Sequence, residues 1–102
     1  MFICDCHCDT LTELYKKNAD LYNNEQHFDI KRQIAIGGGL QFCAIFVPTP
    51  EFRYYGGLRY TLQLLDKYLQ ECKKLHAAGV DVLHVRTKAD VADVLNHKAA
   101  TL

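Results

Sequence analysis

At 102 residues, 49% hydrophobic and 24% charged, the chain has the make-up of one soluble globular domain or of part of one. Twelve basic residues balance twelve acidic ones, so no net field recruits nucleic acid or an anionic membrane surface. No segment approaches the ~18 consecutive apolar residues of a membrane span, and no targeting segment is legible. Five cysteines, three of them at the alternate positions Cys4, Cys6 and Cys8, do not resemble a secreted disulfide framework. Reduced thiols in a cytoplasmic protein are the expectation.

Phe2 to His7 reads as a short strand, whose alternation sets Cys4, Cys6 and Cys8 on one side and Asp5, His7 and Asp9 on the other. Thr10 is placed to cap a short helix with Leu11, Leu14 and Tyr15 on one face. Asn18 to His27 is polar and aperiodic, hence loop. Asp29 is the predicted N-cap of a second helix, Ile30 to Ile36, ended by Gly37-Gly38-Gly39.

Leu40 to Val47 is almost continuously apolar and stops at Pro48, which predicts a strand buried on both faces. Pro48, Pro50 and Gly56-Gly57 bracket a loop containing Phe52, Tyr54 and Tyr55. Leu58 to Ala78 is the clearest helix, with Leu58, Leu62, Leu65, Leu69, Cys72 and Leu75 as its expected buried stripe and Gly79 as its stop. Val80 to Val85 reads as a third strand. Thr87 and Asp90 form an acidic variant of the capping box ahead of Val91, Val94 and Leu95. Lys98 to Leu102 looks like the lead-in to a fourth strand.

Strands alternating with helical crossovers predict an α/β fold with a parallel sheet. Three strands and the start of a fourth leave sheet edges to be paired or covered, and a (β/α)₈ barrel takes ~250 residues. Residues 1–102 are therefore expected to be a fragment of a larger domain.

Chemistry concentrates at His7 and Asp9. Residues two apart on a strand point to the same face about 6.6 Å apart, close enough to converge on one cation. Imidazole and carboxylate suit Zn²⁺, and function in parallel α/β folds gathers at the carboxyl ends of strands, where this pair sits. The spacing alone leaves open a solvated polar edge with no metal. Cys4, Cys6 and Cys8 lack the turn spacing of structural zinc sites and read as small apolar residues packing beneath helices. The glycine run precedes a strand, so it is a helix stop and not a phosphate loop. His27, His76, His84 and His97 are scattered, with His76 and His97 near predicted helix C-termini.

Taken together, the segments resemble a known family. Asp5-Cys6-His7-Cys8-Asp9-Thr10-Leu11 resembles the opening D-x-H-x-D motif of the membrane (renal) dipeptidase family of zinc metallopeptidases. His27-Phe28-Asp29-Ile30-Lys31-Arg32 and Gly38-Gly39-Leu40-Gln41-Phe42 through Pro48 resemble the family's next block, and Asn96 through Leu102 the approach to its Glu-Gly motif. The resemblance implies an amidohydrolase-superfamily (β/α)₈ barrel with two Zn²⁺ ions, His7 and Asp9 ligating one of them. It places the bridging glutamate and the catalytic residues beyond Leu102. It further implies hydrolysis of the amide of a dipeptide substrate, with tolerance for a D-configured second residue, and admits a homodimer of the full-length protein. Cysteine at both variable positions of the motif departs from the relatives, which often carry glycine and a polar residue there. Gln41 and the Phe52/Tyr54/Tyr55 loop are candidate pocket walls, with core packing and surface loop as the plainer readings. Another amidohydrolase activity, such as a deaminase or lactonase, and a non-catalytic α/β module are the competing readings; the chain by itself is expected to be inactive.

Overall fold

A computed structural model describes residues 1–102. Its elements are β1 (Ile3–Cys8), α1 (Thr10–Lys17), α2 (Ile30–Ala35), β2 (Gly39–Cys43), a helical turn α3 (Thr49–Phe52), α4 (Gly57–Ala77), β3 (Val82–His84), α5 (Lys88–Asp93) running into a 3₁₀ turn (Val94–Asn96), and β4 (Ala99–Thr101). All strand pairings are parallel, in the order β1-β2-β4-β3. The α/β alternation follows the apolar pattern. The order does not, because β4 inserts between β2 and β3. No helix is long and apolar enough to cross a membrane.

Residues of β4 alternate between two apolar clusters. Ala99 joins Leu11, Leu14, Leu21, Ile30, Leu64 and Leu75 beneath α1 and α4. Ala100 packs with Val85 and Val94, backed by Leu40 and Leu83. Thr101 returns to the α4 side, where its hydroxyl and that of Tyr68 are 2.7 Å apart in a buried hydrogen bond. One face of the sheet is thus packed by α1 and α4, while on the other Ala100 meets Val94 of the 3₁₀ turn.

Several expectations need correction. The buried face of α4 is Tyr60, Leu64, Tyr68, Glu71, Cys72 and Leu75. Of the expected stripe only Cys72 and Leu75 are buried, whereas Leu58, Leu62, Leu65 and Leu69 are exposed. The helix is apolar on two faces, and the sheet accepts the one with the tyrosines, whose rings reach Phe52, Tyr15 and His84. Cys4 and Cys6 are exposed, because β1 is an edge strand whose first five residues are uncovered. The expected strand to Val47 ends at Cys43. Its last ladder bonds run from Cys43 N–H to the Leu102 carbonyl (2.7 Å) and from Ala44 N–H to the Cys8 carbonyl (3.0 Å). Beyond them β1 has already turned into α1. Part of the loop after Pro48 coils into α3.

Two caps behave as the sequence predicts. Asp29 accepts from the Arg32 N–H at 2.7 Å. Thr87 and Asp90 form the full reciprocal box, with Asp90 N–H to Thr87 Oγ1 at 3.2 Å and Thr87 N–H to Asp90 Oδ2 at 2.8 Å. At Gly39, which starts β2, a β-carbon would run into the Ile3 carbonyl oxygen. A side chain there would hold β1 away from β2.

Candidate metal centre

The first strand does not keep its alternation. Ile3, Cys4 and Asp5 pair with Gly39, Leu40 and Gln41, but Cys8 pairs with Cys43, so the register shifts between Asp5 and Cys8. A bulge of this kind re-aims side chains. Cys8 becomes the buried residue at the end of β1 while His7 stays exposed. Asp9 then leaves the strand altogether and occupies the N-cap position of α1, with φ −96° and ψ 10°.

Asp9 makes no side-chain capping bond. Its Oδ1 instead lies 2.9 Å from His7 Nε2, both side chains being more than half exposed. The expected convergence of His7 and Asp9 is present, produced by a bulge and a helix start in place of simple strand alternation. Thr10 corrects a further expectation, since it is the first helical residue and not the cap; its buried hydroxyl makes no hydrogen bond. Asp5 Oδ1 accepts the His7 backbone N–H at 3.2 Å and holds the bulged backbone.

The pair borders a cavity of about 580 Å³, lined among others by Asp5, Glu13, His27 and Gln41. A smaller one of about 210 Å³ shares the Asp5, His27, Phe28 and Gln41 walls. The loop that brings His27 there is pinned from α2. Arg32 Nη2 donates to the Gln26 carbonyl at 2.6 Å, and Asp29 Oδ2 accepts both Arg32 Nε (2.7 Å) and the Asn24 N–H (3.3 Å). Spacing alone could not assign His27, because its placement depends on this Asp29–Arg32 anchor. Gln41 is both wall and packing residue: it is buried, and its Nε2 donates to the Phe42 carbonyl at 3.2 Å. Phe52 stacks on Tyr60 at 4.7 Å and Tyr54 and Tyr55 are exposed, and none of the three lines this cavity.

Beside the site, the thiols of Cys8 and Cys43 face each other across the β1–β2 pairing. The Cys43 thiol lowers the Cys8 pKa to about 7, and Cys8 with burial pushes that of Cys43 well above the ordinary thiol range. One proton is therefore released from the pair more easily than from an isolated thiol, and the second is held.

His97, placed near a helix C-terminus as the sequence predicts, bridges two carboxylates. Its Nδ1 is 2.7 Å from Asp81 Oδ1 and its Nε2 3.1 Å from Asp93 Oδ2. His76 ties the end of α4 to the Val82 carbonyl at 3.0 Å.

His7 and Asp9 fit zinc in kind, one imidazole nitrogen and one carboxylate at a strand's carboxyl end. They do not fit it in number. No group of three or more histidine, cysteine, aspartate or glutamate side chains able to hold a metal is assembled within the 102 residues. No family model matches the chain, and no curated protein or solved structure matches it.

Proposed function

We propose that these residues form the opening part of a zinc-dependent dipeptidase barrel, in which His7 and Asp9 contribute two ligands to one zinc ion. The observation that carries this reading is the approach of His7 Nε2 to Asp9 Oδ1 at the carboxyl end of a parallel strand. An aspartate at a helix N-cap position ordinarily accepts from the first turn. Asp9 leaves that role unfilled and turns to His7. The adjoining cavity, about 580 Å³, is of a size that takes a dipeptide.

β1, β2 and β4 are successive parallel neighbours, as barrel staves are, while β3 occupies the far edge of β4, where the next stave of a barrel would pair. In such a site zinc supplies an acidified water and polarises the scissile carbonyl. The chain's own residues bind and orient. His7 offers an imidazole nitrogen, Asp9 offers a carboxylate, and Asp5 fixes the His7 backbone. The remaining ligands would come from outside these residues, so this chain alone is expected to hydrolyse no dipeptide.

The test is a longer chain carrying this segment, assayed with a panel of dipeptides, cyclic amides and lactones. Dipeptide hydrolysis abolished by His7→Ala and by Asp9→Ala supports the reading. Activity indifferent to both substitutions, or confined to cyclic amides or lactones, overturns it.

A further inference from the structure

Of the cysteines that alternate along β1, Cys8 stands against another. It is the register partner of Cys43 on β2, whereas Cys4 is paired with Leu40. Register partners on neighbouring parallel strands send their side chains to the same face, with α-carbons about 4.8 Å apart. That spacing lies inside the range, roughly 4.4–6.8 Å, that a disulfide bridges. Each cysteine is also the last residue of its strand, since β1 turns into α1 after Cys8 and β2 ends at Cys43. The backbone there is free of the next rung of the ladder and can close the remaining gap. Cys8 is buried, yet it lines the cavity that His7 and Asp9 border. Hydrogen peroxide, hardly larger than water and far smaller than an alkylating reagent, can reach it by that route.

We propose that Cys8 and Cys43 form a reversible oxidation site, closed to a disulfide by hydrogen peroxide. The Cys8 sulfur attacks one peroxide oxygen, the O–O bond breaks, and hydroxide leaves with the thiol's proton as water. Cys8 is then a sulfenic acid. The Cys43 sulfur attacks the Cys8 sulfur, the S–O bond breaks, and a second water carries away the proton of Cys43. Two thiols and one peroxide thus give one disulfide and two waters, with two electrons passing from sulfur to oxygen. A bond between adjacent strands is strained and easily reduced by a dithiol, which makes the modification reversible. It fastens the peptide between His7 and Asp9 to the end of β2, and it needs no metal at that pair.

Peroxide treatment followed by peptide mass mapping tests this on the Cys4→Ser/Cys6→Ser chain, whose substitutions fall at exposed positions. Tryptic cleavage then leaves Cys8, Cys43 and Cys72 in separate peptides, residues 1–16, 33–53 and 68–73. The expected product links the first two within one chain, is lighter than the reduced pair by two hydrogen atoms, and is undone by dithiothreitol. With Cys43→Ser added, no link forms and Cys8 accumulates as a sulfenic acid that dimedone traps. Circular dichroism checks that the variants keep the fold. In urea the preference for this pairing is expected to be lost. A link of either cysteine to Cys72 in its place, or Cys8 and Cys43 both left as free thiols after peroxide treatment, overturns the proposal. So does the same pairing in equal yield from the unfolded chain, since the fold would then not be what assembles it.

Discussion

The carboxylate of Glu71, almost wholly buried on α4, accepts the backbone N–H of Leu21 at 2.9 Å across 50 residues of sequence. That bond fastens the loop after α1, with its buried Leu21, to the long helix. The other oxygen, Oε1, receives Lys67 at 3.0 Å and Lys74 at 2.9 Å. Burial pushes the Glu71 pKa up, but the Leu21 N–H and the two ammonium groups outweigh it and hold the carboxyl below its usual range. Glu71→Ala leaves the Leu21 N–H without a partner and is expected to cost about 3 kcal/mol in urea unfolding, whereas Glu71→Gln keeps an acceptor and costs about half as much. The wild-type contribution is present above the unfolded carboxyl pKa and is lost as pH falls through the lower folded value.

The His97 bridge gives the opposite pH response. Asp81 first, then Asp93, raises the His97 pKa above 6.5, while His97 lowers the pKa of Asp81. Asn96 and then His97 lower that of Asp93. The histidine's contribution is complete below its unfolded pKa and is lost as pH rises through the raised folded value; those of the aspartates are lost on acidification through their lowered values. The bridge is therefore intact between the two ranges. An NMR titration should show the His97 pKa raised above 6.5 and brought back towards it by Asp81→Asn. A His97 pKa at or below the ordinary value contradicts the bridge.

At the start of α5, Thr87→Ala removes the acceptor of the Asp90 N–H and is expected to cost about 1 kcal/mol. Thr87→Ser keeps that acceptor and should cost much less. Urea melts of the two variants compare them directly.

Thiol alkylation separates the cysteines by burial. Cys4 and Cys6 are exposed and should react first under native conditions, half-buried Cys43 more slowly, and the buried Cys8 and Cys72 only on unfolding. Two fast thiols are expected, and none fast would contradict the uncovered edge of β1.

The elements were legible because their signals are local. Asp29 and the Thr87–Asp90 box mark helix starts, and the apolar run after Gly39 marks β2. The buried face of α4 was not legible. Leu58, Leu62, Leu65 and Leu69 compete there with Tyr60, Leu64 and Tyr68, and only the approach of Thr101 and Phe52 decides between them. Strand order is equally non-local, since nothing in Val80 to Val85 says that it will sit outside β4. At the candidate site the approach of His7 to Asp9 was readable from their two-residue spacing. The bulge that turns His7 away from Cys8 was not, because it arises from the pairing of Cys8 with Cys43. The Asp81–His97–Asp93 bridge joins residues up to 16 apart and has no sequence motif.

The central claim is that His7 and Asp9 are metal ligands. It is tested most directly by following the imidazole nitrogens of this chain by NMR while zinc is added. The account predicts that His7 Nε2 shifts at the lowest zinc concentrations and that Asp9→Ala removes the response, leaving His27, His76, His84 and His97 little affected. A His7 resonance that stays unmoved while another histidine takes the zinc, or a response unchanged by Asp9→Ala, would contradict it.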